Sequence, residues 1–490
     1  MTEPTTDAAH ERLVAHLTSR WPEHRVGPGL GRIQALTELL GDPQHSAPVI
    51  HVGGTNGKGS TAAMIDALLR ARGLRTGRFA SPHVSDITER INIDGEPISH
   101  ELFAEVWADV EPYVQMVDER RIDGIAMTFF EVITGMAFAA FADAPVDVII
   151  LEVGLGGTYD ATNVADGQVA VITPIDLDHT HLLGSSAAEI AAEKAGIIKP
   201  GAQAILAGQS QEVAGVLLAR CAEVGALPHR DGIDFGLIAR ARGVGGQVLR
   251  LQGGGGPVED VLLPLHGEHQ AHNAALALAA VEAFGGMTAI DEDVLRTGLA
   301  DVHLPGRLEV VRRAPTIVLD GAHNPHGARA AASAAVEAFA FQPCIGVVAS
   351  MADKDTTGVL EAWAEVFDHV ICTQPASTGR AMPAEELADL ARQVFAPDRV
   401  LVAPRLDDAL DRAVALLDVE ASPLAGVIVT GSIIAVGEAR NLLGVTGRPE
   451  SGGTAELSVG GSYDDDPLGL AESGDDPTGR GGEPDPFGRD

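Results

Sequence analysis

The chain is poor in basic and aromatic residues. Its 490 residues include 34 Lys and Arg against 69 Asp and Glu, which gives a formal net charge of -35, and only 4% are aromatic. This shortage of cations argues against non-specific binding of nucleic acid, which requires clustered Lys and Arg. A site for an anionic ligand must therefore be built locally from a few cations, or with a metal ion.

Clustered cysteines, long apolar runs and a secretory leader are also lacking. Cys221, Cys344 and Cys372 are scattered and match no disulfide or metal-site spacing, which favours a reducing compartment. No apolar run reaches the ~18 residues of a membrane span. The first residues are polar and lack the apolar core of a signal peptide. The sequence therefore predicts a cytoplasmic protein that binds neither membranes nor nucleic acid.

Apolar runs alternate with helical segments along most of the chain. Residues 146–153 and 169–174 are apolar almost throughout, which is typical of parallel strands buried on both faces. Residues 269–284 have a helical pattern, whereas residues 231–260 are Gly-rich and are expected to form a hairpin or an excursion. The alternation starts again after residue 304, with strands predicted at 316–320, 344–349, 369–373 and 426–430.

This alternation predicts an α/β fold with two domains and a tail. Residues 1–303 are expected to form a domain with a parallel-type sheet, and residues 304–445 a smaller, doubly wound α/β domain. Residues 446–490 are rich in Gly, Asp, Pro, Ser and Glu, and are predicted to be a disordered acidic tail. Because doubly wound sheets bind ligands at the carboxyl ends of their strands, the reaction site is expected in the cleft between the two domains.

A glycine-rich loop with the sequence G-T-N-G-K-G-S, at residues 54–60, predicts a phosphate site. It follows an apolar run and precedes a helical segment, so backbone N–H groups and the helix N-terminus would converge on phosphate oxygens. Lys58 is placed to bridge the β- and γ-phosphates, and the Ser60 hydroxyl to bind phosphate or its metal. The common spacing G-x-x-x-x-G-K-S/T does not fit, because Val52 stands at its first glycine and Gly59 separates Lys from Ser. This shorter form resembles the ATP loop of the Mur-ligase superfamily.

Further motifs follow in a fixed order: S-P-H at 81–83, T-F-F-E at 128–131, L-D-H-T-H-L-L-G at 177–184, E-K-A-G-I-I-K-P-G at 193–201, L-P-G-R at 304–307, D-G-A-H-N-P at 320–325 and D-K-D at 353–355. Over residues 30–443 the set resembles folylpolyglutamate synthase, in particular the bacterial enzymes that are also dihydrofolate synthases. The resemblance implies a Mur-ligase-like P-loop ATPase domain, with a folate site, followed by a Rossmann-like glutamate ligase domain. It also implies a monomer whose small-molecule partners are ATP, L-glutamate, and dihydropteroate or reduced folates.

In this family the acceptor carboxylate attacks the γ-phosphate of ATP and forms an acyl phosphate. The amine of glutamate then attacks the acyl carbon, and phosphate leaves. The chain is therefore expected to add L-glutamate to dihydropteroate, to tetrahydrofolate polyglutamates, or to both, with ADP and phosphate as products. The protein must screen phosphate charge, align the reactants and exclude water.

The same motifs supply candidate metal ligands. Glu152 and His179 follow separate apolar strands, so their side chains could share a metal ion, and the resemblance implies that they and Ser81 hold Mg²⁺. From chemistry alone, Lys194 is a basic residue that complements a helix C-terminus. The resemblance instead implies that Lys194 is carbamylated and holds a second Mg²⁺. K⁺ is a further expected cation.

Candidate nucleotide and catalytic residues come from both predicted domains. Arg307 suits the γ-phosphate because its planar guanidinium matches phosphate oxygens. The catalytic residues implied are Lys58, Lys194 and His323. The ATP-binding residues implied are Gly54, Thr55, Asn56, Gly57, Lys58, Gly59, Ser60, Asn273, Arg307 and Asp320.

The folate site is less constrained by the sequence. A pterin ring requires a flat apolar or aromatic wall, and Phe129 and Phe130 stand out in a chain with few aromatics, although core packing explains either equally well. The folate-binding residues that the resemblance implies are Thr128, Phe129, Phe130, Glu131, Asp160 and Arg32.

Two alternatives remain open. One is another Mur-type ligase that adds amino acids to a cell-wall precursor; such enzymes have an additional N-terminal domain, for which the position of the loop at residue 54 leaves no room. The other is a non-catalytic nucleotide-binding protein, which explains the loop but neither the D-G-A-H-N-P motif nor Lys194.

Overall fold

Three β-sheets, with helices packed against them, account for the alternating pattern of the sequence. The structure is a computed structural model that describes residues 6–20, 29–420 and 422–445. The acidic tail predicted at 446–490 lies outside the described residues.

The first sheet has eight strands in the order β4-β3-β2-β5-β1-β6-β7-β8. The neighbours in the row β2-β5-β1-β6-β7-β8 all pair in parallel. Strands β3 and β4 add an antiparallel edge beside β2. Their bounds are β1 Val49–Gly53, β2 Thr76–Phe79, β3 Ile91–Ile93, β4 Glu96–Pro97, β5 Val148–Glu152, β6 Gly167–Ile172, β7 Gln203–Leu206 and β8 Leu227–Arg230.

A small antiparallel sheet of three strands follows in the chain, where the sequence predicts a Gly-rich hairpin or excursion. Its strands are β9 Gly236–Gly243, β10 Gly246–Gly253 and β11 Gly256–Leu263.

The third sheet has six strands in the order β12-β13-β17-β14-β15-β16. All neighbouring strands pair in parallel except β12 and β13, which form an antiparallel edge. Their bounds are β12 Glu309–Arg313, β13 Thr316–Leu319, β14 Cys344–Val348, β15 His369–Cys372, β16 Val400–Val402 and β17 Gly426–Thr430.

Helices cover both faces of the two large sheets, which is why the parallel strands are apolar on both sides. Their bounds are α1 Thr6–Thr18, α2 Gly31–Leu39, α3 Lys58–Ala71, α4 His100–Arg120, α5 Phe129–Asp143, α6 Thr180–Leu183, α7 Ala187–Lys194, α8 Gln211–Val224, α9 Glu268–Phe284, α10 Glu292–Ala300, α11 Pro325–Phe339, α12 Thr356–Trp363, α13 Ala384–Val394, α14 Leu406–Glu420 and α15 Ile433–Leu442.

The buried core is divided by the sheets. One cluster packs α3 and α9 against one face of the first sheet, and a second cluster packs α4 and α5 against part of its other face. Two further clusters cover the two faces of the third sheet. The first two sheets with their helices are called the N-terminal lobe below, and the third sheet with its helices the C-terminal lobe.

The predicted fold class is confirmed. The strands at the predicted positions form mixed sheets dominated by parallel pairs, as the apolar runs indicate. In each lobe the strand order changes direction beside a central strand, β1 in the first sheet and β17 in the third. Open α/β sheets bind ligands at the carboxyl ends of strands near such a switch. Among the described residues, no helix is both long and apolar enough to span a bilayer.

Candidate active site

The carboxyl ends of the central strands in both lobes open into one cavity of ≈ 1140 Å³. Its wall includes the whole glycine-rich loop after β1, the end of β5 and the loop after β13. Of the site residues that the sequence predicts, all line this cavity except Phe129 and Arg32. The predicted ATP, metal and catalytic residues are therefore brought together.

The loop between β1 and α3 requires glycine at two positions. Gly54 has φ +136°, and a Cβ there would lie 1.9 Å from Thr173 Oγ1. Gly57 has φ +90°, and a Cβ there would lie 2.6 Å from Asn273 Oδ1. The backbone can pass this close to its neighbours only without side chains. The N–H groups in the first turn of α3 have no intrahelical acceptors, so the loop leads into an anion site.

Lys58 is the first residue of α3, and its ammonium turns back onto the loop. Its Nζ donates to the carbonyl oxygens of Gly54 at 3.2 Å and Thr55 at 3.0 Å. Burial lowers the pKa of Lys58, and the nearby carboxylates of Glu152 and Asp178 oppose that shift. Three of the four lysines in this acidic chain, Lys58, Lys194 and Lys354, line the cavity. The cavity wall thus holds most of the lysines of the chain, beside carboxylates that include Glu152 and Asp178.

Glu152 ends β5 next to the glycine-rich loop. Its side chain is buried, and Oε2 accepts the backbone N–H of Ser81 at 3.1 Å. A Cβ at Gly59 would lie 3.3 Å from both carboxylate oxygens, so the carboxylate lies against the loop backbone. Burial raises the pKa of Glu152, while Lys58 and the Ser81 N–H act against that rise. This carboxylate is placed to face a cation bound near the loop.

His179 follows β6 and lies beside a cation from the other lobe. Lys354 Nζ is 3.2 Å from His179 Nε2 and donates to Asp178 Oδ1 at 2.9 Å. Burial lowers the pKa of His179 to about 4, and the ammonium of Lys354 adds to the shift. The imidazole is therefore neutral at pH 7, and its Nε2 lone pair is directed toward a cation.

Lys194 is not the solvated helix-end lysine that its position in α7 suggests. Its residue is only 5% exposed. Burial lowers the pKa of Lys194 to about 7, and repulsion by Lys58 contributes. The amine is therefore partly uncharged near neutral pH.

The loop after β13 brings the C-terminal groups to the same cavity. Asp320 is buried and accepts backbone N–H groups from Leu308 at 3.1 Å and Ala322 at 2.9 Å, which fixes its carboxylate beside the Arg307 segment. His323 donates through Nδ1 to the Gly321 carbonyl at 3.0 Å, a tautomer assigned from this contact, so Nε2 is left as an acceptor. Burial lowers the pKa of His323 to about 4.

Direct contacts between the lobes were not assigned from the sequence. The amides of Asn56 and Asn324 exchange hydrogen bonds of 3.3 and 3.0 Å, and Asn56 Nδ2 lies 2.9 Å from His326 Nδ1. These contacts join the glycine-rich loop to the start of α11, and the pair of Asp178 and Lys354 joins the loop after β6 to the D-K-D segment. Both C-terminal segments stand out as motifs, but no local pattern shows which loop they face.

At the other end of the cavity, the two phenylalanines have different environments. Phe130 lines the cavity, and a Cβ at Gly154 would lie 2.4 Å from its ring, whereas Phe129 is buried in the core beneath the Arg90 guanidinium. Thr128 and Glu131 form a capping box at the start of α5 and also line the cavity. Asp160 is buried there too, and its carboxylate accepts the N–H groups of Leu155 and Thr162.

Arg32 lies behind this wall. Its guanidinium is 1% exposed and contacts both Glu131 oxygens at 3.0–3.1 Å and Asp123 Oδ2 at 3.0 Å. The guanidinium thus pairs with Glu131 behind the cavity wall, and direct binding of a folate by Arg32 stays a prediction. Because the partners lie 99 residues apart, the sequence alone does not reveal this pair.

Comparisons with known proteins agree on one family. A model of the Mur ligase middle domain matches residues 52–281, and a model of the Mur ligase, glutamate ligase domain matches residues 306–433. Dihydrofolate synthase/folylpolyglutamate synthase of Mycobacterium tuberculosis is 48% identical over 466 residues, which cover 90% of this chain and 96% of that protein.

Solved structures agree with the sequence relatives. The M. tuberculosis folylpolyglutamate synthase complexed with ADP has a TM-score of 0.87 at 48% identity, over 90% of this chain and 100% of that one. The E. coli FolC in complex with DHPP and ADP has a TM-score of 0.78 at 31% identity, over 90% of this chain and 99% of that one.

Proposed function

The chain belongs to the Mur-ligase family of dihydrofolate synthases/folylpolyglutamate synthases, and we propose that it adds L-glutamate to dihydropteroate and to tetrahydrofolate polyglutamates. It is an ATP-dependent ligase with an α/β fold. The proposed products are the glutamylated acceptor, ADP and phosphate, formed through an acyl phosphate.

One observation carries this proposal. The glycine-rich loop with Lys58, the C-terminal groups Arg307 and His323, and the apolar Phe130 wall share one cavity of ≈ 1140 Å³. Pockets for single small molecules usually measure ~300–1,000 Å³, so this one suits a nucleotide together with a second ligand. A purely nucleotide-binding protein does not require the Phe130 end or the buried Lys194.

The residues of the chain perform positioning and charge screening in the proposed mechanism. The N–H groups at the start of α3, Lys58 and Arg307 would hold the ATP phosphates while the acceptor carboxylate oxygen attacks the γ-phosphorus and ADP leaves. The glutamate amine then attacks the acyl carbon, the bond from carbon to phosphate oxygen breaks, and the nitrogen loses a proton. His323 lines the cavity with Nε2 as the acceptor nitrogen of its ring, and we assign it to accept this proton.

The donors in the cavity fit Mg²⁺. Glu152 offers a buried carboxylate, Ser81 a hydroxyl and His179 a neutral imidazole, and oxygen-rich sets of this kind hold Mg²⁺ together with substrate phosphates. When bound, the ion neutralises phosphate charge as a Lewis acid. We assign these three residues to the first of two Mg²⁺ sites, and K⁺ remains a predicted further cation.

A carbamate on Lys194 would complete the second site. Its uncharged amine can attack the carbon of CO₂ and lose a proton, which leaves a carbamate with a negative charge. The burial of Lys194 and the lowering of its pKa to about 7 support this proposal, because carbamate formation requires the uncharged amine.

We also propose a boundary between the domains at residues 303 and 304, since the two family models match on either side of it. ATP is expected to hold the lobes together, because the loop at 54–60 and Asp320 lie on different lobes. The monomeric state and the cytoplasmic location stay predictions.

Acceptor-dependent ADP release tests the proposed function. The purified chain is assayed with ATP, Mg²⁺ and L-glutamate, with dihydropteroate and tetrahydrofolate as separate acceptors, and a UDP-sugar peptide precursor as the control acceptor. Glutamylated product is expected with both pterin acceptors and none with the UDP-sugar. Turnover only with the UDP-sugar precursor, or ADP release that no acceptor stimulates, would contradict the proposal.

A further inference from the structure

A second group of metal-ligating side chains lies outside the active-site cavity. His10 on α1, Asp86 in the loop after β2 and His100 at the first turn of α4 converge, with one ligand atom of each within 4.8 Å of the others. None of the three lines the catalytic cavity, and their positions in the chain lie in three separate segments. The cluster is therefore separate from the active-site cavity.

The carboxylate of Asp86 turns one oxygen toward two histidines, and this oxygen accepts a hydrogen bond from His100 Nε2. Its Oδ1 accepts the backbone N–H of Thr88 at 2.9 Å and the Thr88 hydroxyl at 2.7 Å, which caps the short 3₁₀ turn Ile87–Arg90. Its Oδ2 faces both imidazoles, 3.4 Å from His10 Nε2 and 3.2 Å from His100 Nε2. A carboxylate whose other oxygen is bonded in this way is oriented like the ligating carboxylates of metal sites.

The imidazole of His10 is buried and lacks a hydrogen bond. The residue is 8% exposed, and within the described part of the chain neither ring nitrogen has a hydrogen-bond partner. A buried polar atom left in this state costs about 1–3 kcal/mol, so a partner is expected. The edge of the Phe103 ring packs at 5.7 Å from the His10 ring, which leaves the Asp86 side as the polar one.

We propose that His10 Nε2, His100 Nε2 and Asp86 Oδ2 bind a divalent transition-metal ion, with Zn²⁺ as the best fit. In a tetrahedral site with bonds of ~2.0–2.1 Å, two ligand atoms lie about 3.3 Å apart, close to both nitrogen-to-oxygen distances. Two imidazoles and a carboxylate suit zinc, cobalt or nickel better than magnesium. The rings are stacked at 3.7 Å with an interplanar angle of 6°, so binding requires them to tilt until their lone pairs converge.

The ion would fasten α1 to the edge of the catalytic lobe. Asp86 begins the turn that follows the S-P-H segment, whose residues line the cavity. Ser85, the residue before it, accepts a hydrogen bond of 3.2 Å from Arg440 of the C-terminal lobe. A metal ion at Asp86 therefore holds a loop that touches both lobes, and its role is structural.

Zinc binding to the full-length protein tests this site. Protein stripped with EDTA is titrated with Zn²⁺ by calorimetry, and Co²⁺ is used as a spectroscopic probe of a tetrahedral site. The wild type is expected to bind one more equivalent of Zn²⁺ than either His10→Gln or His100→Gln. In each variant the affinity of this site for Zn²⁺ should fall at least about tenfold. The wild type and both variants have the same active-site histidines, so zinc bound there does not contribute to the difference between them.

The matched control is His16→Ala, which removes an exposed histidine from the same helix. It should bind zinc as the wild type does. Glutamine at position 10 keeps an N–H donor for Asp86, so a metal-free contact would survive in His10→Gln while the metal site would not. Equal zinc stoichiometry in the wild type and both glutamine variants would overturn the proposal. So would a zinc-induced rise in melting temperature that is the same in His10→Gln as in the wild type.

Discussion

Replacing Arg32 distinguishes a folate ligand from a buried structural ion pair. Arg32→Leu leaves the Glu131 carboxylate buried without its guanidinium, whose side chain is 1% exposed and contacts both carboxylate oxygens at 3.0–3.1 Å. Removing one partner of such a pair costs about 3–5 kcal/mol. With an unfolding entropy of about 2.1 cal/mol/K per residue, a unit of about 430 residues should lose roughly 3–6 °C in melting temperature.

The double variant provides the decisive comparison. Glu131→Gln keeps an oxygen for the backbone N–H of Thr128 but removes the charge, so Arg32→Leu combined with Glu131→Gln should be more stable than Arg32→Leu alone. Asp123→Asn is the matched control, because Asp123 is the other partner of Arg32 but its side chain is 51% exposed. It should cost less than about 1 kcal/mol.

Denaturant unfolding and steady-state kinetics are measured on the same variants. We expect Arg32→Leu to unfold at lower denaturant, with an unchanged acceptor KM and a maximal rate that falls only with the fraction of folded protein. A stability within about 1 kcal/mol of wild type, together with a tenfold higher KM for the pterin acceptor, would refute the buried-pair reasoning and support direct folate binding.

Three other predictions follow from the cavity and the core. Lys58→Ala should lower the ligation rate by about 10²-fold or more, because it removes an ammonium from the phosphate site. Lys199→Ala is the control and should remain active, since Lys199 lies outside this cavity. Near-normal turnover of Lys58→Ala at saturating ATP would contradict the loop assignment. Lys194→Arg should be inactive because a guanidinium does not form the carbamate, and acetate should partly restore Lys194→Ala; an active Arg variant would return Lys194 to a helix-end role. Burial lowers the pKa of His51 from 6.5 to about 3, so below pH 6.5 the unfolded state binds the extra proton and stability falls with falling pH, by about 2 kcal/mol at pH 5. His179 and His323, whose pKa values are also lowered to about 4, add to the same slope. The loss of stability between pH 7 and pH 5 in denaturant titrations should therefore be about 2 kcal/mol smaller for His51→Leu than for the wild type, and an unchanged slope would contradict the contribution of His51.

Local patterns in the sequence were sufficient for several central strands and for the turn of the glycine-rich loop. The apolar run predicted as a strand at 426–430 is β17 with the same bounds, and the run at 146–153 contains β5. The glycines of the loop are needed for reasons visible in the chain itself, since the loop must turn between a strand and a helix. Such features depend on neighbours within a few residues, which a single sequence displays directly.

Only the tertiary structure decided which side chains face the cavity. Lys194 ends a helix, which predicts a solvated ammonium, yet the packing of α7 buries it to 5% exposure. Phe129 and Phe130 are adjacent and chemically identical, and the position of α5 in the sheet layer sends one into the core and the other to the cavity. Asn56 meets Asn324 across 268 residues of chain. These outcomes depend on which elements become neighbours in space. The free energy that selects those neighbours comes from burying whole faces of helices and sheets. A local pattern of residues does not show which faces will meet.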